Sequence, residues 1–349
     1  MLYETQNPHG GDVYGSEIAL DFSANINPLG TPPAVITAIC EAAQYVRQYP
    51  DPYCRKLVAA IAAHEQLDEK RILCGSGAAE LIYAWCDALR PNLAAELAPT
   101  FSEYGLAATH FGAKVMRYYL LPENTFRVDE RFLNFLKETE PDALFLCSPN
   151  NPSGQTLERN LLEKTLELCA NAHTSVLLDE CFLDFTDTES AKDLLTEYPN
   201  LLILKAFTKS YALAGARVGY CLSANPELLT HMAHTVQPWN VSHLAQCAAV
   251  AALKEHDYLA RAKALIKEER AYLQRELAQL GLQVFPSETN FILFRGENNL
   301  DAALRKKKIA IRSCGNYHGL DEHYYRIAVR LHEENEQLID ALQQVLEGK

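Results

Sequence analysis

Several short runs in the middle of the chain are apolar almost from end to end, and this limits the fold more than any other feature. The runs are KVMRYYLL (114–121), ALFLCSP (143–149), SVLLDE (175–180), NLLILKAF (200–207) and VGYCLS (218–223). Such runs are short for helices, and an apolar strand without a polar side must be covered on both faces. Between them lie stretches with helical spacing: EYGLAATHFG (103–112), ERFLNFLKET (130–139) and LLEKTLELCANAH (161–173). Strands alternating with helices predict an α/β architecture, a mostly parallel sheet with helices on both faces.

The 349 residues are too many for one ordinary core and suit two domains. The first 32 residues, rich in Gly, Asn and Pro, read as an ordered arm. Residues 33–238 read as the large domain. After about residue 240 the texture changes to a long helical stretch (256–281), three strand-like runs (290–295, 310–314 and 324–330) and a terminal helix from Glu333. That pattern predicts a smaller α+β domain over 239–349.

A formal charge of −13 disfavours nucleic acid, whose phosphates it repels. The basic run 305–308 reads as the wet end of a helix. No apolar stretch is long enough to span a bilayer, and the first residues lack the apolar centre of a signal peptide. The ten cysteines include no C-x-x-C pair, which predicts reduced thiols and a cytoplasmic setting.

In an open α/β sheet, ligands sit beyond the carboxyl ends of the strands. Three strand ends carry informative residues: Asn150 and Asn151 after ALFLCSP, Asp179 after SVLL, and Thr208-Lys209 after NLLILKAF. Together they are what a pyridinium aldehyde needs. A lysine amine forms a Schiff base with the aldehyde, an aspartate keeps the ring nitrogen protonated, and an asparagine amide donates to the ring's phenolate oxygen. Taken singly, each residue could be a solvated lysine, a helix cap or a turn.

The ordered set Asn150-Asn151-Pro152-Ser153-Gly154, Asp179-Glu180, Thr208-Lys209-Ser210 and Leu213-Ala214-Gly215-Ala216-Arg217-Val218-Gly219-Tyr220 resembles the motif series of fold-type-I aminotransferases. The histidinol-phosphate aminotransferase branch is nearest, and the resemblance runs along essentially the whole chain. It implies an aspartate aminotransferase-like fold with pyridoxal 5'-phosphate as cofactor. It also implies that Lys209 is the Schiff-base lysine and that Arg217 and Thr208 contact the cofactor phosphate. Gly75-Ser76-Gly77-Ala78-Ala79-Glu80 resembles the family's phosphate cup, with backbone N–H groups of Ala78 and Ala79 opening a helix. Tyr104 matches an aromatic that stacks on the ring. Tyr49 matches a tyrosine that reaches the neighbouring subunit's cofactor, which implies a homodimer with shared sites. Arg326 matches the arginine that grips the substrate carboxylate.

The bond broken at Cα is the one held perpendicular to the conjugated plane, so the position of the carboxylate selects the reaction. Here the resemblance leans toward threonine-phosphate decarboxylases, enzymes of cobalamin synthesis. His9-Gly10-Gly11-Asp12, the segment from Asp21 to Gly30 that contains Asn27, and the segment from Arg312 to Asp321 all resemble that group. Phe182 stands where the aminotransferase branch usually has tyrosine, and Arg330 where it usually has glycine. His9, Asn27, Asn151, Arg312, Arg326 and Arg330 are then the expected substrate contacts, with Arg326 and Arg330 on one strand face. The substrate expected is a phosphorylated amino acid.

The chain also departs from the pattern. Ala206, Ala78 and Ala79 lack side-chain donors for the phosphate, and Cys181 replaces an alanine against the ring. A transaminase acting on histidinol phosphate stays open as an alternative, as does a silent protein that binds the cofactor. A metal site at His231 and His234 lacks a third ligand at a diagnostic spacing.

Overall fold

The apolar runs form the middle of a seven-stranded sheet. The computed structural model describes residues 9–14 and 17–348. The strands are β1 (Ile72–Gly75), β2 (Leu93–Ala98), β3 (Lys114–Tyr119), β4 (Ala143–Cys147), β5 (Ser175–Asp179), β6 (Leu201–Ala206) and β7 (Gly219–Ser223). Their order across the sheet is β1-β7-β6-β5-β4-β2-β3. Only β7 runs against the others. Two of these strands, β1 and β2, were not legible as strands. The first has four residues and the second is alanine-rich, and both are weak signals on a β scale.

Side chains alternate between two cores, as the pleat requires. On one face Leu144, Leu146, Val176, Leu178 and Ile203 pack with Leu57 and Ile61 of the helix Arg55–Glu65 and with Leu166 of the helix Arg159–Asn171. On the other face Phe145, Leu177 and Leu204 pack with Leu81 and Trp85 of the helix Ala78–Leu89. Each fully buried leucine contributes about 1.5–3 kcal/mol of transfer free energy. The central strands are therefore the most rigid platform the chain has for a site.

The C-terminal part carries a second, antiparallel sheet. Its strands are β8 (Gln283–Val284), β9 (Phe291–Arg295), β10 (Arg312–Ser313) and β11 (Tyr324–Ala328), in the order β10-β11-β9-β8. The residues expected to form an ordered arm belong partly to this unit. Leu20–Asp21 pairs in parallel with Ile309–Ala310, and Phe22 is buried among Ile292, Ile327 and Leu338.

The join falls later than residue 238. The helix His243–Ala252 buries Ala245, Ala248 and Ala249 in the same core as Leu57. The long helix Tyr258–Gln279 then belongs to both parts, with Tyr258 in the large core and Leu273 and Leu277 in the small one. Among the described residues no helix is long and apolar enough to cross a membrane.

Candidate active site

The parallel strands β4, β5 and β6 are neighbours, with Cys147 opposite Asp179 and Asp179 opposite Leu204. Their carboxyl ends open on a cavity of about 230 Å³, lined by Asn151, Asp179, Thr208, Lys209, Arg217 and Arg326 among others. Ala78, Ala79, Tyr104 and His9 border the same cavity. An amine, a carboxylate and an amide that lie far apart in the chain thus share one wall.

Asp179 is buried, and both its oxygens are held. Tyr104 donates its hydroxyl to Oδ2 at 2.6 Å, and the backbone N–H of Cys181 donates to Oδ1 at 2.8 Å. Burial pushes this carboxyl above its usual range, and the bonds from Cys181 and Tyr104 pull against that shift. Lys209 lies near Phe182, with Nζ 5.9 Å from the ring centroid. Burial and the nearby charge of Arg326 bring its amine down to about 8. An amine that is partly neutral near pH 7 can act as a nucleophile or exchange protons.

Arg326, on β11, is buried and reaches across to the large sheet. Its guanidinium donates to Asn151 Oδ1 and, at 2.8 Å, to the Ser23 carbonyl. Tyr317 adds a hydroxyl 3.4 Å from the same Asn151 oxygen. Arg326 Nε and Asn25 Oδ1 are buried and find no hydrogen-bond partner among the described residues. Orphaned polar atoms facing a cavity mark a place where a ligand's groups are needed.

The far wall is built for an anion. Gly77, at φ +82°, turns the chain into the helix that starts at Ala78, and no side chain caps that start. A Cβ at Gly77 would stand 2.5 Å from the Arg217 guanidinium, so glycine lets the arginine lie over the helix start. Free N–H groups at a helix start, together with an arginine, suit a phosphate. The chemistry of this set, with its half-buried lysine, its buried carboxylate and its anion cradle, fits pyridoxal phosphate.

Four expected residues, Tyr104, Asn27, Arg330 and Arg312, make other contacts than the expected ones. Tyr104 lines the wall but cannot stack freely on a ring, because it is fully buried, packs parallel to Phe145 and commits its hydroxyl to Asp179. Phe101, three residues earlier, also borders the cavity and packs edge-on against Tyr104. Asn27 does not line the cavity. Its amide donates to the Ser210 carbonyl and its backbone N–H to that of Lys209, so it braces the lysine turn from behind. Asn25, two residues earlier, lines the cavity instead.

Arg330 lies past the end of β11 and binds Glu334 at 2.6 Å and the Asp21 carbonyl at 3.0 Å. Arg312 sits opposite Arg326 across the strand pair but bonds Asn316 and lies over the Tyr317 ring. Neither lines the cavity. Tyr49 is 79% exposed and stacks on Trp239, away from its own chain's site. Among the described residues, no cluster of His, Cys, Asp or Glu could hold a metal ion.

Comparison with known proteins agrees with the fold. The model of the aminotransferase class I and II family matches residues 17–342. A threonine-phosphate decarboxylase of Salmonella typhimurium is 35% identical, with 97% of each chain covered. A histidinol-phosphate aminotransferase of Methanopyrus kandleri is 32% identical over 93% of this chain and 87% of its own. Among solved structures, the histidinol-phosphate aminotransferase from Clostridium acetobutylicum superposes with a TM-score of 0.88 at 30% identity, covering 95% of this chain and all of the other. The one from Sinorhizobium meliloti, solved in complex with pyridoxal-5'-phosphate, gives 0.85 at 26% identity, over 96% and 92% of the two chains. The fold and the site define a pyridoxal-phosphate enzyme of the aspartate aminotransferase type. The chain belongs to the aminotransferase class I and II family.

Proposed function

We propose that the chain decarboxylates L-threonine O-3-phosphate, releasing carbon dioxide and (R)-1-aminopropan-2-yl phosphate for cobalamin synthesis. The observation that carries this reading is the pairing of Arg326 with His9 in one cavity. The two basic side chains come from opposite ends of the chain and suit a substrate with a carboxylate at one end and a phosphate at the other. The similarity to the Salmonella typhimurium decarboxylase supports the same reading.

Each residue then has a task. Lys209 would hold the cofactor's aldehyde carbon. Asp179, fixed by Tyr104 and the Cys181 N–H, would hold the ring nitrogen. Arg217, Thr208 and the backbone N–H groups of Ala78 and Ala79 would take the cofactor phosphate. Phe101, which borders the cavity, would cover the ring in place of Tyr104. When bound, the cofactor supplies an electron sink for the pair left on Cα as carbon dioxide departs. Arg326 and Asn151 hold the substrate carboxylate, whose direction decides which bond at Cα is weakened. Lys209, with its amine near 8, returns a proton to Cα.

We also take the enzyme to be a homodimer. Tyr45, Val46, Tyr49 and Tyr53 are all exposed within nine residues of chain, and clustered exposed apolar side chains call for a cover. A second copy there would bring each Tyr49 toward its neighbour's cofactor phosphate. The ten cysteines are free thiols, most of them buried, which suits a cytoplasmic setting.

The test is an incubation of the holoenzyme with L-threonine O-3-phosphate and no keto acid. Release of carbon dioxide, with the cofactor still an aldehyde afterwards, is the expected result. An absolute need for 2-oxoglutarate, with histidinol phosphate as the amine donor, would replace this reading with the transaminase one.

A further inference from the structure

The cavity's outer wall is a strap rather than a loop tip. His9-Gly10-Gly11 crosses it and is clamped at three points. A Cβ at Gly10 would lie 2.2 Å from the Ser23 carbonyl oxygen, so no other residue lets the strap come this close. Gly11 sits at φ +86° and donates its N–H to Ser23 Oγ at 2.8 Å. The same Ser23 carbonyl accepts from Arg326 at 2.8 Å, so the strap and the buried arginine share one backbone group.

The third clamp is a side-chain pair. His9 Nε2 lies 2.7 Å from Glu103 Oε1, at the start of the helix Glu103–His110, and Tyr83 donates to Glu103 Oε2 at 3.3 Å. The His9 ring also packs on Phe101, with centroids 5.4 Å apart. Contact with His9 holds the Glu103 carboxyl below its ordinary range, so it is an anion across neutral pH. Glu103 does not border the cavity, whereas His9 does. The imidazole therefore stands between the carboxylate and the space a substrate would fill. The pair is half-buried, with the two side chains 34% and 15% exposed.

We infer that Glu103 is a positioning residue. It fixes His9 at the cavity wall, and so sets the enzyme's preference for a phosphate-bearing substrate. The inference rests on the reading that the substrate carries a phosphate, and it adds a residue to the site that touches neither substrate nor cofactor. It also accounts for the two adjacent glycines after His9, which a chain without this close approach would not need.

The experiment is a double-mutant cycle on holoenzyme, using Glu103→Ala, His9→Ala and both together, with Glu103→Gln as the conservative variant. Each protein is titrated with L-threonine O-3-phosphate and with L-threonine, following the cofactor's absorption. Glu103→Ala should weaken binding of the phosphorylated ligand by about tenfold or more, the scale of a charged hydrogen bond, and leave that of L-threonine within about twofold. The double variant should bind no worse than His9→Ala alone, and Glu103→Gln should recover part of the loss. Equal weakening of both ligands, or losses that simply add in the double variant, would overturn the inference. Carbon dioxide release by the unmodified enzyme is measured in parallel. Its failure would sink the decarboxylase reading while the titrations still decide the role of Glu103.

Discussion

Lys205 and Lys209 lie four residues apart at the end of β6 and meet opposite environments. Lys205 is buried in a filled network, with Nζ 3.0 Å from Glu65, which also receives Lys192 at 2.9 Å and the Tyr220 hydroxyl at 2.6 Å. Burial alone would lower its pKa, but Asp184, Glu65 and Glu180 outweigh burial and raise it. The same cations hold Glu65 down to about 2 against its own burial. Among the described residues Lys209 has no such partner. Burial and the like charge of Arg326 bring it to about 8. One lysine is fixed as a cation for structure and the other is left with little stabilising its charge. The difference teaches that reactivity here comes from withheld pairing, because desolvation pulls both amines down.

The largest effect expected from breaking this contrast is at Lys209. Lys209→Ala should reduce turnover by about a thousandfold or more while changing stability little, since no ion pair is lost. Steady-state decarboxylation and a urea melt of the same variant would check both halves. Glu65→Ala should do the reverse. It leaves the buried charge of Lys205 without its partner, which costs about 3–5 kcal/mol of stability. Urea denaturation should show that loss, and a loss under about 1 kcal/mol would mean that the network is not what holds β6.

A smaller effect is expected at Tyr104. Tyr104→Phe removes one of the two bonds on Asp179 and should slow turnover by about tenfold without loss of cofactor. An unchanged rate would show that the hydroxyl's bond to Asp179 is not what Tyr104 supplies. The smallest effect concerns pH. With the folded pKa of Lys209 lowered, its neutral form accumulates above about pH 8. Cofactor uptake by the apoprotein should therefore rise with pH up to about 8 and flatten beyond it. A rise continuing toward 10.5, the ordinary lysine value, would show that the amine is not depressed.

The central strands and the three residues at their ends were legible because a parallel sheet places strand ends side by side whatever the loops do. That rule and their chemistry pointed to Asp179, Lys209 and the Asn150-Asn151 pair, and the family resemblance singled out Asn151. What escaped depends on direction within loops and helix turns. Phe101 and Tyr104 are both aromatic and three apart, and only the helix start decides which ring faces the cavity. Asn25 and Asn27 differ by which one the lysine turn uses up. Arg330 was placed on a strand that ends at Ala328, so its side chain turns to Glu334 instead. The Glu65 network was invisible because its members are 140 residues apart in the chain and Lys205 sits inside an apolar run.

The most direct test of the contrast between the two lysines is to reduce the holoenzyme with borohydride, digest it and locate the cofactor mass by peptide sequencing. The account predicts the label on Lys209 and none on Lys205. A label on Lys205, or one spread over several lysines, would contradict it.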